Sequence, residues 1–79
     1  MLSRKWVMKM PSDVEKIAIN NLYDYAFGHK FVVAFLVEED TIKEYWFDTA
    51  WDDFRDALHA AEARQGQVFP VEYVRRGER

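Results

Sequence analysis

Asp52, Asp56 and His59 recur at spacings of four and three residues, which on a helix stacks two carboxylates and an imidazole along one face. Oxygen ligands with one nitrogen have the chemistry of a divalent-cation site. Three ligands from one helix leave most of the coordination sphere empty, and no second cluster is available to fill it. Cysteine is absent and the other histidine is His29. A hydrolase using two of these carboxylates needs their pKa values pushed apart, and nothing in the sequence marks one of them for that. A Gly-rich phosphate loop and a nucleophile elbow are also missing. No catalytic residue, metal ligand or cofactor is assigned, and the chain reads as non-enzymatic.

Asp52 belongs to "YWFDTAWDDF", residues 45 to 54, which packs five aromatic rings and three aspartates into ten positions just before Asp56. Helical spacing turns Trp51, Phe54 and Leu58 towards a core. Asp52 and Asp53 then fall in a first turn, where the positive end of the helix dipole favours carboxylates. The corner therefore reads as a strand handing over to a helix.

The elements that must position it follow from periodicity. "RKWVMKM" alternates Trp6, Met8 and Met10 against Lys5 and Lys9, a strand pattern ended by Pro11. "SDVE" supplies a capping box, Ser12 with Glu15. Val14, Ile17, Ala18, Leu22, Tyr25 and Ala26 then fit a helix stopped at Gly28. The same stretch also alternates, so residues 13–27 remain open between one helix and two short strands turning at Asn20-Asn21. "KFVVAFLVE" is a strand apolar on both faces, "EDT" a short hairpin link, and "IKEYWFD" the returning strand. Thr49 or Asp48 caps a helix from Ala50 to Arg64 with the apolar stripe Trp51, Phe54, Ala57, Leu58 and Ala61, ended by Gly66. "VFPVEYV" closes the chain as a strand whose Pro70 belongs at a sheet edge.

That order predicts an α+β fold, the ferredoxin-like βαββαβ arrangement, with a four-stranded antiparallel sheet and two helices on one face. The topology places the second strand at an edge, a poor position for "FVVAFLV". A homodimer through strand 30–38, or a partner strand added there, resolves the conflict. With 79 residues the chain makes a single small domain, residues 1–79, with little surface to spare for burial. No stretch approaches the ~20 apolar residues of a membrane span and no signal peptide is evident, so a soluble, cytoplasmic protein is expected, in keeping with the absence of cysteine.

Charge is the strongest functional signal. Residues 38–56 hold eight acids against Lys43 and Arg55, a net of −6, while the whole chain carries −3. Such a surface steers association with a basic partner. The expected partner-binding residues are Glu38, Glu39, Asp40, Glu44, Asp52, Asp53 and Asp56, with Tyr23 and Trp46 as ring anchors of the kind interfaces favour. The alternative is an RNA-binding module of RNA-recognition-motif-like topology that stacks bases on Trp6 and Tyr45-Trp46-Phe47. "IKEYWFD" lacks that family's Gly-aromatic signature, and Glu44 and Asp48 repel phosphate, so direct nucleic-acid binding is disfavoured.

In length, acidity and lack of cysteine the chain resembles the small inhibitors encoded by phages and other mobile elements, the anti-CRISPR proteins. That resemblance implies docking on a CRISPR effector complex, foremost a type I surveillance complex, and blocking of its target DNA.

Overall fold

Ile17 and Ile19 alternate with Ala18 and Asn20, and this period of two prevails over the helical reading. In the computed structural model, which describes residues 16–77, Ile17–Asn20 is a strand, β1. Asn21 follows with φ 60°, a left-handed conformation that Asn tolerates and that ends the strand. The chain then makes a 3-10 turn over Asp24–Gly28. The strand expected over residues 5–10 and the Ser12–Glu15 capping box lie outside the described residues.

A long hairpin comes next, β2 (Phe31–Glu39) and β3 (Ile42–Trp51). Its two-residue link places Asp40 at φ 58°, the positive φ that tight hairpins require at their first central position. The one α-helix among the described residues, α1, spans Phe54–Arg64. After it come β4 (Gln67–Pro70), a 3-10 turn (Val71–Tyr73) and β5 (Val74–Arg76).

The ferredoxin-like expectation is therefore corrected. Among the described residues the sheet has five strands, in the order β4-β2-β3-β1-β5. It is mixed, with β1 parallel to β3 and β5, and β2 antiparallel to β3 and β4. Among the described residues one α-helix packs on it, where two were expected. Two local causes account for the difference. Residues 17–20 pair as a strand where a helix was the leading expectation. "VFPVEYV" is cut at Pro70, which has no N–H to continue a ladder, so its two halves serve opposite edges. Pro70 does lie on an edge strand, as expected.

This last connection shapes the sheet. From Pro70 to Val74 the chain can stretch at most about 14 Å, whereas opposite edges of a flat five-stranded sheet stand about 19 Å apart. The sheet must curl to bring β4 and β5 together. Its concave side holds Ile19, Val32, Ala34, Phe47 and Val74, plugged by Leu22 and by Ala26 of the first 3-10 turn.

The convex side carries α1. Val33 packs there against Ala57, Ala60 and Ala61, with Phe31, Trp51 and Val68 around them. Alanines let the helix lie close, and the expected stripe is corrected accordingly. Phe54 is 53% and Leu58 37% exposed, although Phe54 still meets the Phe31 ring edge-on at 5.6 Å. Close approach recurs just past the helix, where a Cβ on Gly66 would stand 2.9 Å from the Ala34 carbonyl oxygen. The helix starts later than expected because β3 keeps its ladder as far as Trp51, paired with Phe31.

Because β2 lies inside the sheet, its two apolar faces are explained: Val32 and Ala34 fill one core and Val33 the other. The expectation that β2 is an edge strand is thereby corrected for Phe31–Ala34, which pair with β4 on one side and β3 on the other.

Candidate functional site

The acidic residues fall into two groups at opposite ends of β3, about 30 Å apart at the rise of an extended strand. At the joint between β3 and α1, structural work accounts for most of them. Asp53 is the N-cap, its Oδ1 accepting from the N–H of Arg55 at 2.8 Å and of Asp56 at 3.2 Å. Asp52 bonds the His29 ring across the joint at 3.1 Å, so it is not stacked on the helix with Asp56 and His59. Asp56 sits exposed in the first helical turn, where its charge suits the dipole.

Asp48 has a different place. The ladder shifts between Val33–Thr49 and Ala34–Phe47, which leaves Asp48 as the extra residue of a β-bulge. Its carboxylate faces the helix and pairs with Arg64 Nε at 3.4 Å. The Thr49 hydroxyl donates to Asp48 Oδ2 at 3.3 Å and accepts from Trp51 Nε1 at 2.8 Å.

The other acids gather where the hairpin outruns the rest of the sheet. β4 pairs only with Phe31–Ala34. Beyond Ala34, β2 has a neighbour on one side alone among the described residues, β3. Glu38, Glu39 and Asp40 are exposed there, and Glu44 is half-buried opposite Val37. Lys43 Nζ lies 3.5 Å from Glu38 Oε2, whereas Glu39 and Asp40 form no ion pair or side-chain hydrogen bond among the described residues. Beside these acids Leu36, Val37 and Ile42 are 42%, 42% and 49% exposed. These three were not among the expected partner-binding residues. Their signal was the length of β2, nine residues against four for β4.

The two expected ring anchors lie on different faces. Trp46 is half-buried opposite Phe35 on β3. Tyr23 is on the concave side, its ring edge-on to Phe47 at 5.8 Å and stacked on Tyr25 at 6.0 Å. Tyr25 and Phe27 are also exposed, and the Arg76 guanidinium stands 5.5 Å from the centre of the Phe27 ring. Arg76 also pairs with Asp24 and donates to the Leu22 carbonyl. Sequence reasoning placed Tyr25 in a helix core; the run "YDYAF" before Gly28 was the available signal for an exposed aromatic turn.

Of the rings expected to stack bases, Tyr45 and Phe47 are engaged in the fold. Phe47 is buried, and Tyr45 donates to Gln67 Oε1 at 3.1 Å and meets Phe69 edge-on at 5.0 Å. Trp6 lies outside the described residues. Among the described residues no three His, Asp or Glu side chains converge as metal ligands, and no helix is long and apolar enough to cross a membrane.

No protein-family model, curated protein or solved structure matches the chain.

Proposed function

We propose that this is a non-enzymatic binding protein that docks the free end of its β2–β3 hairpin, residues 35–44, on a basic partner surface. One observation carries the reading: exposed Leu36, Val37 and Ile42 stand beside Glu38, Glu39 and Asp40 on a hairpin that extends beyond its neighbouring strand. Apolar area gives such a contact its affinity, and the acids give it orientation and association rate. The acids at the other end of β3 have capping and pairing duties, so the binding role is assigned to the hairpin group. The partner class that fits is a protein with a positively charged, phosphate-accommodating surface. The likeness to anti-CRISPR inhibitors makes a type I surveillance complex the first partner to try.

The test is capture on the tagged protein from a lysate containing such a complex, with salt elution and identification of what is held. The same capture is repeated with a Glu38→Gln/Glu39→Gln/Asp40→Asn variant, which removes charge while Asn keeps the left-handed turn accessible. Loss of the complex from this variant, with retention by Asp56→Asn, supports the reading. Undiminished capture by the folded hairpin variant overturns it.

A further inference from the structure

The hairpin end offers more than side chains. In a two-residue hairpin the residues flanking the turn, here Glu39 and Ile42, exchange backbone hydrogen bonds. Alternation then directs the N–H and C=O of Phe35, Val37 and Glu39 towards β3, and those of Leu36 and Glu38 away from it. On that outer side β4 reaches only as far as Ala34, paired with Gln67. Leu36 and Glu38 thus present two donors and two acceptors with no strand beside them among the described residues. We infer that this edge accepts an extended partner segment as a sixth strand, collinear with β4, and that the segment alternates basic and apolar residues.

The composition of the edge selects that occupant. Val37 and Phe35 share one face of β2, and Leu36 and Glu38 the other, by strand alternation. Apolar side chains of an incoming strand would meet Val37 on one face, and lysines or arginines would meet Glu38 on the other with their aliphatic stems along Leu36, while Glu39 and Asp40 add attraction at the tip. A second copy of this chain is a poorer occupant. Antiparallel self-pairing about Val37 brings Glu38 and Glu39 of both copies into one short ladder, where like charges oppose pairing. Acids on an open edge guard against self-association, and the same charges favour a basic strand. This inference rests on the hairpin being the partner-binding surface, and specifies backbone pairing as the way it binds.

The experiment follows amide exchange by NMR in the full-length 15N-labelled protein. The probe is a capped synthetic peptide of about seven residues alternating lysine and valine, and its glutamate-for-lysine counterpart is the control. The lysine peptide at saturation should slow exchange at Leu36 and Glu38 by about tenfold or more, and the glutamate peptide should leave both unchanged. Leu36→Pro, which removes an outward N–H that the β2–β3 ladder does not use, should weaken peptide binding in a protein with an otherwise unchanged spectrum. Protection of both amides before any peptide is added would overturn the proposal, because the edge is then already covered by another part of the chain or by a second copy. Absence of lysine-peptide binding would overturn it too. So would binding that shifts side-chain signals without slowing these amides. None of these failures removes capture of a partner through the hairpin acids, which is read separately.

Discussion

Asp48 Oδ2 lies 3.4 Å from Arg64 Nε, joining the bulged position of β3 to the last turn of α1. The bulge adds one residue to β3, so that Asp48 and Thr49, consecutive in sequence, both serve the helix side of the sheet. The carboxylate is largely covered, with its side chain 17% exposed, and also accepts from the Thr49 hydroxyl. Asp48→Ala should therefore cost about 1 kcal/mol, more than a typical surface pair and less than a buried ion pair. In urea denaturation, a cycle with Arg64→Ala should give a coupling of about 0.5–1 kcal/mol. Strict additivity would mean that the pair does not fasten the helix.

Neighbouring aspartates at the helix start should behave differently. Asp53 accepts two backbone N–H groups, so Asp53→Ala should cost about 1 kcal/mol, and Asp53→Ser should recover most of it. Asp52 is itself exposed, with a half-buried partner in His29, and Asp52→Ala should cost less than about 0.5 kcal/mol. Equal costs in denaturant titrations would refute the division of roles.

These assignments also indicate which parts of the fold were legible in the sequence. Strong, long periodicity was decisive for β2 and β3, and Pro70 correctly marked an edge. The aspartate-rich corner was recognised as a strand–helix joint, but the cap moved from Thr49 or Asp48 to Asp53. The shift arose because cross-strand pairing held Ala50 and Trp51 in β3, and that term is absent from local sequence. Ile17–Asn20 satisfied both a helical and an alternating pattern, so its state was decided by β3 and β5 on either side of it. For the candidate site, the acids were visible as charge but their separation was not, since strand length sets it. Leu36, Val37 and Ile42 looked like core because nothing local revealed that β4 stops short of them.

The helix stripe provides a direct test of that lesson. Ala57 is fully buried against the sheet, while Leu58 is partly exposed. Enlarging the first should overpack the helix–sheet contact, so Ala57→Leu should destabilise by about 1–3 kcal/mol. Leu58→Ala should cost about 1 kcal/mol or less, for loss of partly buried area. Thermal melts that rank these two in reverse would place the helix on a different face.

Gly66 makes a similar demand on space. A methyl group there would meet the Ala34 carbonyl at 2.9 Å and Val33 Cγ1 at 3.0 Å. The first of these is backbone in the middle of the sheet and cannot swing aside. Gly66→Ala should thus destabilise by about 1–3 kcal/mol, whereas Gly28→Ala, whose added Cβ has nothing within 4 Å, should be close to neutral. A neutral Gly66→Ala in denaturant unfolding would show that the turn after α1 has room to move.

At the hairpin, charge and apolar area should separate kinetically. Once a partner is in hand, Glu39→Gln with Asp40→Asn should slow its association by about tenfold at low ionic strength and flatten the dependence on salt, because exposed charges act over roughly a Debye length of 10 Å. Val37→Thr with Ile42→Thr keeps strand propensity and every formal charge, so it should instead speed dissociation and leave the salt slope intact. Interferometry across a salt series reads both constants. If the threonine variant dissociates as slowly as the parent protein, the apolar side chains lie outside the contact. A salt slope unchanged by loss of the two acids would likewise place the electrostatic contact away from the hairpin tip.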